Sequence, residues 1–279
     1  MLLKNFLKKH FLILKVRDRF SAQVQIAQRG LYHYYREKAA SDNPIPLPET
    51  GFRVFSQFEE DGMLLYIFAA IGMGSRTFVE IGSDDGINSN CANLAFNFGW
   101  SGLFIDRNAT SIRRGRSFYA KYPHPWMYQP KFLCSDVTPA NINEILSASG
   151  ITGEIELLSI DIDGDDYWIW KAIEIIQPKV VVIETHVRFG MHNIVVPYGR
   201  QDAPDYNIQH GASPVAMVNL GKEKGYKLIG ANQLGFNFIF LKKELAAKAL
   251  PEVDVQQVLL HPSVVKSMEE FKPETGIDM

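Results

Sequence analysis

Short apolar runs recur along this chain with helical stretches between them, and this alternation limits the folds open to it. The first five runs are Thr77–Ile81, Gly102–Ile105, Lys131–Cys134, Glu156–Ile160 and Lys179–Ile183. Several of them are apolar nearly throughout instead of alternating with polar residues, which is typical of strands buried on both faces. The pattern therefore predicts a mostly parallel sheet that is covered by helices on both sides.

The last two apolar runs follow a different rule. Tyr226–Ile229 and Asn237–Leu241 are joined by a short loop that contains Gly230 and Gly235. A connection of this length cannot cross over to a parallel neighbour, so the two runs should form an antiparallel hairpin. We therefore predict parallel strands first and an antiparallel strand at the end. Ser213 and Pro214 predict the cap and first turn of the helix before this hairpin.

The first fifty residues should form a helical extension and a linker, ahead of a main domain over residues 51–245 and a tail over 246–279. Apolar residues near the N-terminus recur at helical spacing, with lysines mostly on the other side: Leu3, Phe6, Leu7, Phe11 and Leu14. We expect this segment to pack on its own domain or on a second subunit of a homo-oligomer, in preference to a membrane surface. Three prolines between residues 41 and 51 predict an extended linker.

Charge and cysteine content exclude several classes of protein. The chain has 29 lysines and arginines against 31 acidic residues, a net charge of −2, which argues against a nucleic-acid partner. The longest apolar stretch, Met63 to Gly74, is shorter than the ~20 residues that a membrane-spanning helix needs. Two cysteines, Cys91 and Cys134, are too few for a disulfide scaffold and predict reduced thiols in a cytoplasmic protein.

A buried strand that enters a glycine turn is the strongest candidate for a ligand site. Gly82 and Gly86 allow a sharp turn and the close approach of a ligand, and Glu80, Asp84 and Asp85 surround them. The G-x-G-x-x-G pattern of dinucleotide sites is absent, and three carboxylates would repel a pyrophosphate. The same carboxylates favour a ligand that carries an ammonium or sulfonium cation.

Two more acids follow the next two strands. Asp106 ends the second strand, where an acid is placed to accept hydrogen bonds from both hydroxyls of a ribose. Asp136 follows the third strand, and its carboxylate could accept from the amine of an adenine or cap the helix that Thr138 and Pro139 predict. Acids at successive strand ends therefore indicate an adenosyl ligand with a positive charge.

These motifs resemble the class I S-adenosylmethionine-dependent methyltransferases, and among them the FkbM-type group. The resemblance runs from residue 55 to residue 243 and rests on SQ and EDG before the first strand, then VEIGSDDGINSN, LFIDRN, LLSIDIDGDDYWIW and PKVVVIETH. It implies an α/β fold with a Rossmann-like, doubly wound sheet of seven strands, the last one antiparallel, behind an N-terminal helical extension. The turn departs from the common E/D-x-G-x-G-x-G form, because Ser83 and Asp84 stand where glycine is more usual.

The resemblance also implies that S-adenosylmethionine is the cofactor. In the family, the first-strand acid and the turn contact the methionine portion and the second-strand acid holds the ribose, roles that carry onto Glu80, Gly82, Asp84, Gly86 and Asp106. We expect the upstream Gln57 and Asp61 to close over the same ligand. The other predicted cofactor-binding residues are Ser83, Asn88, Ser89, Arg107 and Asp136.

A second group of titratable residues follows the fourth and fifth strands. Asp161 and Asp163 follow the fourth strand, and Glu184 and His186 follow the fifth. A calcium-binding EF-hand is excluded because the loop lacks the required glycine and glutamate at its sixth and twelfth positions. Three uses stay open: Asp161, Glu184 and His186 hold magnesium or manganese for a substrate diol, a carboxylate or histidine acts as general base without a metal, or the acids only cap a helix.

The long connection between the fifth strand and its helix, from about residue 187 to residue 212, is expected to line the substrate site. Its polar and aromatic residues are Arg188, His192, Tyr198, Arg200, Tyr206 and His210. The catalytic candidates are therefore Asp161, Asp163, His186 and His210. By contrast, the arginines at positions 113, 114 and 116 are predicted to form a solvated helix face.

The sequence as a whole predicts a methyltransferase that acts on an oxygen, and the resemblance suggests a hydroxyl of a sugar or glycan intermediate. One alternative is methyl transfer to nitrogen or carbon of a small metabolite or peptide. Another is a non-catalytic subunit that binds an adenosyl ligand and recruits a partner through its N-terminal helix.

Overall fold

The computed structural model describes residues 16–122, 129–199, 211–245 and 248–271. Its strands are β1 (Thr77–Ile81), β2 (Ser101–Asp106), β3 (Lys131–Cys134), β4 (Gly153–Ile160), β5 (Ile176–Glu184), β6 (Tyr226–Ala231) and β7 (Asn237–Lys242). Each apolar run predicted from the sequence lies within one of these strands, so the strand predictions are confirmed.

The described strands form a seven-stranded sheet in the order β3-β2-β1-β4-β5-β7-β6. Strands β1 to β5 pair in parallel, and β7 is antiparallel to both β5 and β6. The predicted Rossmann-like, doubly wound α/β fold with an antiparallel last strand is therefore confirmed. Chain order reverses between β1 and β4, and ligands of such sheets bind at the carboxyl ends of the strands on either side of this point.

The helices are α1 (Ala22–Ala40), α2 (Glu60–Ile71), α3 (Ala92–Phe98), α4 (Ala109–Tyr119), α5 (Ile142–Ala148), α6 (Asp166–Ala172), α7 (Pro214–Glu223), α8 (Val255–Val258) and α9 (Pro262–Glu270). The predicted cap of α7 is confirmed, since the Ser213 side chain accepts from the Ala216 amide. The predicted start of α5 at Thr138 is wrong. The Asn141 side chain accepts from the Thr138 amide at 2.8 Å, which closes a turn and delays the helix to Ile142.

Alternate residues of the central strands face two separate hydrophobic layers. Phe78 and Phe104 pack in one layer with the apolar residues of α2 and α3. Val79 and Leu103 pack in the other, together with residues of α5, α6 and α7. All four side chains are at most 1% exposed. Burial on both faces explains why these strands are apolar throughout.

The N-terminal extension packs against the main domain within the described residues. The Tyr35 ring of α1 packs edge-on against the Tyr66 ring of α2, with centroids 5.2 Å apart, and the side-chain amides of Gln28 and Asn93 exchange hydrogen bonds. The amphipathic pattern from Leu3 to Leu14 lies outside the described residues. In the part of the chain that is described, no helix is long and apolar enough to cross a membrane.

Candidate functional site

The turn after β1 has a backbone shape that only a few residue types adopt. Gly82 has φ +81°, and a side chain there would overlap the carbonyl oxygen of Asp161. Asp84 has φ +48° at the place where glycine is more usual, and aspartate is one of the non-glycine residues that tolerate this region. The departure from the common glycine pattern therefore keeps the backbone conformation that glycine would give.

Asp106, at the end of β2, holds this turn in place. One oxygen of its carboxylate accepts from the Asp84 amide at 2.8 Å, and the other accepts from the Asn108 amide at 2.7 Å. Asp84, Asp106 and Arg107 all line one cavity of about 590 Å³, which we call the first cavity. The structure thus brings together the turn and the acid that the sequence assigned to two parts of one ligand.

Acidic side chains dominate the wall of the first cavity. The carboxylates come from the carboxyl ends of β1, β2, β3 and β4, whereas Arg107 is the one basic residue among the described lining residues. The acids are Asp84, Asp106, Asp136, Asp161, Asp163 and Asp165. Such a wall attracts a cation and opposes a polyphosphate.

Glu80 lies behind the turn and is not among the described residues that line the cavity. Its carboxylate is buried and accepts from the Ser89 hydroxyl and from the amides of Asn90 and Cys91, at 2.7 to 3.0 Å. Burial raises the pKa of Glu80, and these bonds lower it. Glu80 and Ser89 thus fix the approach to α3, and direct contact between them and a cofactor stays a prediction.

Three other predicted cofactor contacts, Ser83, Gly86 and Asn88, lie in or just after the turn. Asn88 accepts a hydrogen bond from the Arg19 guanidinium at 3.2 Å, which ties this loop to the N-terminal extension. Ser83 is 2% exposed, and its hydroxyl has no hydrogen-bond partner among the described residues. Gly86 has φ +66°, a backbone conformation that favours glycine, and it ends the turn.

Arg114 lies on the predicted solvated face of α4, with a side chain that is 47% exposed, and it also contacts the turn after β1. Its Nε lies 2.6 Å from the Asp85 carboxylate, and its Nη2 lies 3.1 Å from that of Asp84. Burial raises the pKa of Asp85, and the charge of Arg114 opposes that rise. Arg116 is also exposed and donates to the Phe132 carbonyl, whereas Arg113 contacts only Thr110 of its own helix among the contacts described. The predicted solvated face is therefore confirmed.

Neither Gln57 nor Asp61 is among the described residues that line the first cavity. Asp61 is 1% exposed, and one oxygen of its carboxylate accepts from the amides of Val54, Phe55 and Ser56. Burial raises its pKa to about 6, against the effect of these bonds. Asp61 thus shapes the loop that carries Gln57 to a second cavity.

The second cavity, of about 430 Å³, shares Asp161, Asp163 and Gly164 with the first. Ligand atoms of Asp161, Asp163 and Glu184 all lie within 4.8 Å of one another. Burial, together with the charges of nearby carboxylates, raises the pKa of Asp161 to about 7 and that of Glu184 to about 9. Asp161 is therefore poised to accept a proton near neutral pH, whereas Glu184 is protonated there unless a cation binds to the group.

Of the two predicted catalytic histidines, His186 lies among the described residues and His210 does not. His186 lines the second cavity, its amide donates to the Ala212 carbonyl at 2.8 Å, and its ring lies 4.4 Å from the Phe189 ring. His186 is not part of the three-acid group, so among the described residues a metal would be held by Asp163 in its place. His210 lies outside the described residues.

Two residues of the site, Asp166 and Thr185, were not predicted from the sequence. Asp166 caps its own loop, since its carboxylate accepts from the amides of Ile162 and Gly164, and burial raises its pKa to about 6. Thr185 is 4% exposed, lines the second cavity, and has a hydroxyl without a hydrogen-bond partner among the described residues. A strand-end position was the only signal that could have marked either residue.

No protein-family model and no curated protein matches this chain. Similar solved structures include a candidate caffeoyl-CoA O-methyltransferase from Staphylococcus aureus (16% identity, TM-score 0.45, 85% of this chain and 99% of that one). The N-terminal domain of EvdMO1 with SAH bound is also similar, at 12% identity and a TM-score of 0.43, over 77% of this chain and 95% of that one. TnmH is similar at 13% identity and a TM-score of 0.39, over 63% of this chain and 52% of that one. The chain thus spans about half the length of TnmH. At these identities the neighbours say nothing of what this chain binds.

Proposed function

We propose that the chain is an S-adenosylmethionine-dependent methyltransferase whose first cavity holds the cofactor. One observation carries this proposal: carboxylates from four neighbouring strand ends face the cavity, and Arg107 is the one basic residue among its described lining. A sulfonium and an ammonium would complement this wall, whereas a pyrophosphate would be repelled. Asp84 and Asp106 would contact the methionine and ribose portions, as the resemblance to the class I methyltransferases implies, and the FkbM-type group is the finer assignment that we propose.

The two cavities suggest where the acceptor binds. Because both are lined by Asp161, Asp163 and Gly164, an acceptor in the second cavity would approach a donor in the first at this point. S-adenosylmethionine, when bound, supplies a methyl group that its sulfonium has already made electrophilic. Protein groups need only align the acceptor and remove its proton.

Asp161 is the residue best suited to take that proton. It belongs to the wall of both cavities, and its pKa of about 7 suits a general base near neutral pH. The proton of an acceptor hydroxyl would pass to the Asp161 carboxylate as the oxygen bonds to the methyl carbon and the carbon–sulfur electron pair remains on sulfur. Oxygen in a sugar or glycan is the acceptor that we propose. His186 and His210 remain candidates for the same role.

A magnesium or manganese ion in the second cavity is a second candidate feature of the same enzyme. The hard oxygens of Asp161, Asp163 and Glu184 lie close enough together to ligate one ion, and an ion there would remove their mutual repulsion. Chelation that abolishes turnover, with recovery on added magnesium, would support this version. Turnover that is unchanged in the chelator would exclude it.

Calorimetric titration tests the proposal against its alternatives. We expect S-adenosylmethionine and S-adenosylhomocysteine to bind and NAD not to bind. Asp106→Asn should weaken S-adenosylhomocysteine about 10- to 100-fold, because a charge-assisted hydrogen bond is lost. Asp42→Asn, which removes an exposed carboxylate that contacts Lys248, is the matched control and should have no effect.

The outcomes separate the candidate functions. If neither adenosyl ligand binds, the methyltransferase and the non-catalytic adenosyl-binding subunit are both excluded. If they bind, methyl transfer from labelled S-adenosylmethionine to sugar, amine and peptide acceptors distinguishes O-, N- and C-methylation. Binding without transfer to any acceptor would favour the non-catalytic subunit. A cytoplasmic location and a homo-oligomer stay predictions.

A further inference from the structure

An exposed tyrosine stands at the wall of the first cavity, on a segment that the sequence assigned to the acceptor. Tyr198 and Gly199 line the first cavity. Among the described residues, neither lines the second cavity. Tyr198 is 48% exposed. Its surface is therefore available to a ligand.

The backbone before Tyr198 is fixed by hydrogen bonds to two parts of the chain, the segment before α7 and helix α6. The Ser213 amide donates to the Ile194 carbonyl at 2.8 Å, and the Val196 amide donates to the Gly211 carbonyl at 3.0 Å. Trp168 of α6 donates from its indole nitrogen to the Val196 carbonyl at 2.9 Å. Val196 itself is 2% exposed. The position of Tyr198, two residues further on, is thus set by a well-anchored chain.

Tyr198 shares the wall of the first cavity with the loops that follow β3 and β4. Partial burial raises the pKa of Tyr198, and the carboxylates of Asp165 and Asp136 raise it further. The apolar side chains of Val137 and Ile162, from the same two loops, line this cavity as well. Aliphatic groups and an aromatic ring around one space are what a flat heteroaromatic base requires.

We propose that Tyr198 stacks on the adenine base of the cofactor and so belongs to the cofactor site, not to the acceptor wall. This inference rests on the proposed function. The base lies between the phenol ring and the aliphatic side chains, with Asp136 within reach of its exocyclic amine. The remaining exposed face of Tyr198 is covered when the nucleoside binds.

Binding of two ligands to matched variants tests the assignment. S-adenosylhomocysteine contains the base, the ribose and the amino acid, whereas 5′-methylthioadenosine lacks the amino acid. Tyr198→Ala should weaken both about 5- to 100-fold and by similar factors, since loss of base stacking does not depend on the amino-acid end. Tyr198→Phe should bind both like the wild type. Tyr34 of α1 is also 48% exposed, so Tyr34→Ala is the matched control.

The possible failures can be told apart. Equal affinity of wild type and Tyr198→Ala for S-adenosylhomocysteine would overturn this inference and leave the proposed function standing. Weakening of S-adenosylhomocysteine alone would assign Tyr198 to the amino-acid end and would also overturn it. No binding of either ligand to the wild type would overturn the proposed function and this inference together. Thermal unfolding of each variant checks that the fold is unchanged.

Discussion

Replacing Arg114 with glutamine should destabilise the turn after β1 in a way that depends on pH. The Asp85 side chain is 4% exposed, and Arg114 supplies its opposite charge at 2.6 Å. Without that guanidinium, a buried carboxylate must either stay charged without a partner or bind a proton. Loss of one partner from a fully buried pair costs about 3–5 kcal/mol. The Arg114 side chain is 47% exposed, so solvent screening reduces the expected cost to about 1–3 kcal/mol at pH 8.

The pH dependence follows from the pKa of Asp85. Burial already raises this pKa, and removal of Arg114 raises it further. In the variant, the stability associated with protonated Asp85 is present at low pH and is lost as pH rises through the raised pKa. The loss relative to wild type should therefore be small near pH 4 and complete by pH 8.

Urea unfolding of Arg114→Gln and Arg113→Gln at pH 4.5 and pH 8 measures this difference. Arg113 lies next to Arg114 on α4 and contacts Thr110 at the surface, so its variant serves as the matched control and should lose less than about 0.5 kcal/mol. The reasoning is refuted if the two variants lose equal stability, or if the loss in Arg114→Gln is the same at both pH values.

Three further predictions concern the turn, the buried acids and the reaction. Gly82→Ala should abolish S-adenosylhomocysteine binding in calorimetry, because the added carbon would overlap the Asp161 carbonyl; binding at wild-type affinity would contradict this. Burial raises the pKa of Asp61 and Asp166 from 3.8 to about 6, so these two acids together should lower the unfolding free energy of the ligand-free chain by about 4–5 kcal/mol as pH rises from 4 to 7. A flat or rising profile in urea titrations would be inconsistent with these shifts. Asp161→Asn should lower kcat about 100-fold or more, with a small effect on the Kd of S-adenosylhomocysteine, and an unchanged kcat would remove Asp161 as the base.

The strands of the sheet were predictable because the signals for them lie in short stretches of the sequence. Continuous apolar runs between glycine turns and helical stretches suffice to place strands such as Thr77–Ile81, and a loop too short for a crossover suffices to make β7 antiparallel. Strand ends also bring Asp84 and Asp106 to one edge of the sheet, since parallel strands share a direction. These features need no knowledge of side-chain orientation.

Side-chain partners were less predictable, because they depend on contacts between distant parts of the chain. Glu80 was predicted as a ligand contact, and the sequence did not show that its carboxylate also accepts from the amides of Asn90 and Cys91. The amides from which Asp61 accepts, and the ion pair that the half-exposed Arg114 forms with Asp85, were likewise not predicted. A buried carboxylate accepts hydrogen bonds from the donors that the tertiary fold places near it. Which donors these are cannot be predicted from the sequence pattern alone.

A crystal structure of the chain with S-adenosylhomocysteine would test the central claim most directly. The account predicts density for the nucleoside in the first cavity, with the ribose hydroxyls at the Asp106 carboxylate and the base next to Tyr198 and Asp136. Density for the ligand at any other part of the molecule, or a ribose remote from Asp106, would contradict the assignment of the acidic strand ends to a cationic nucleoside.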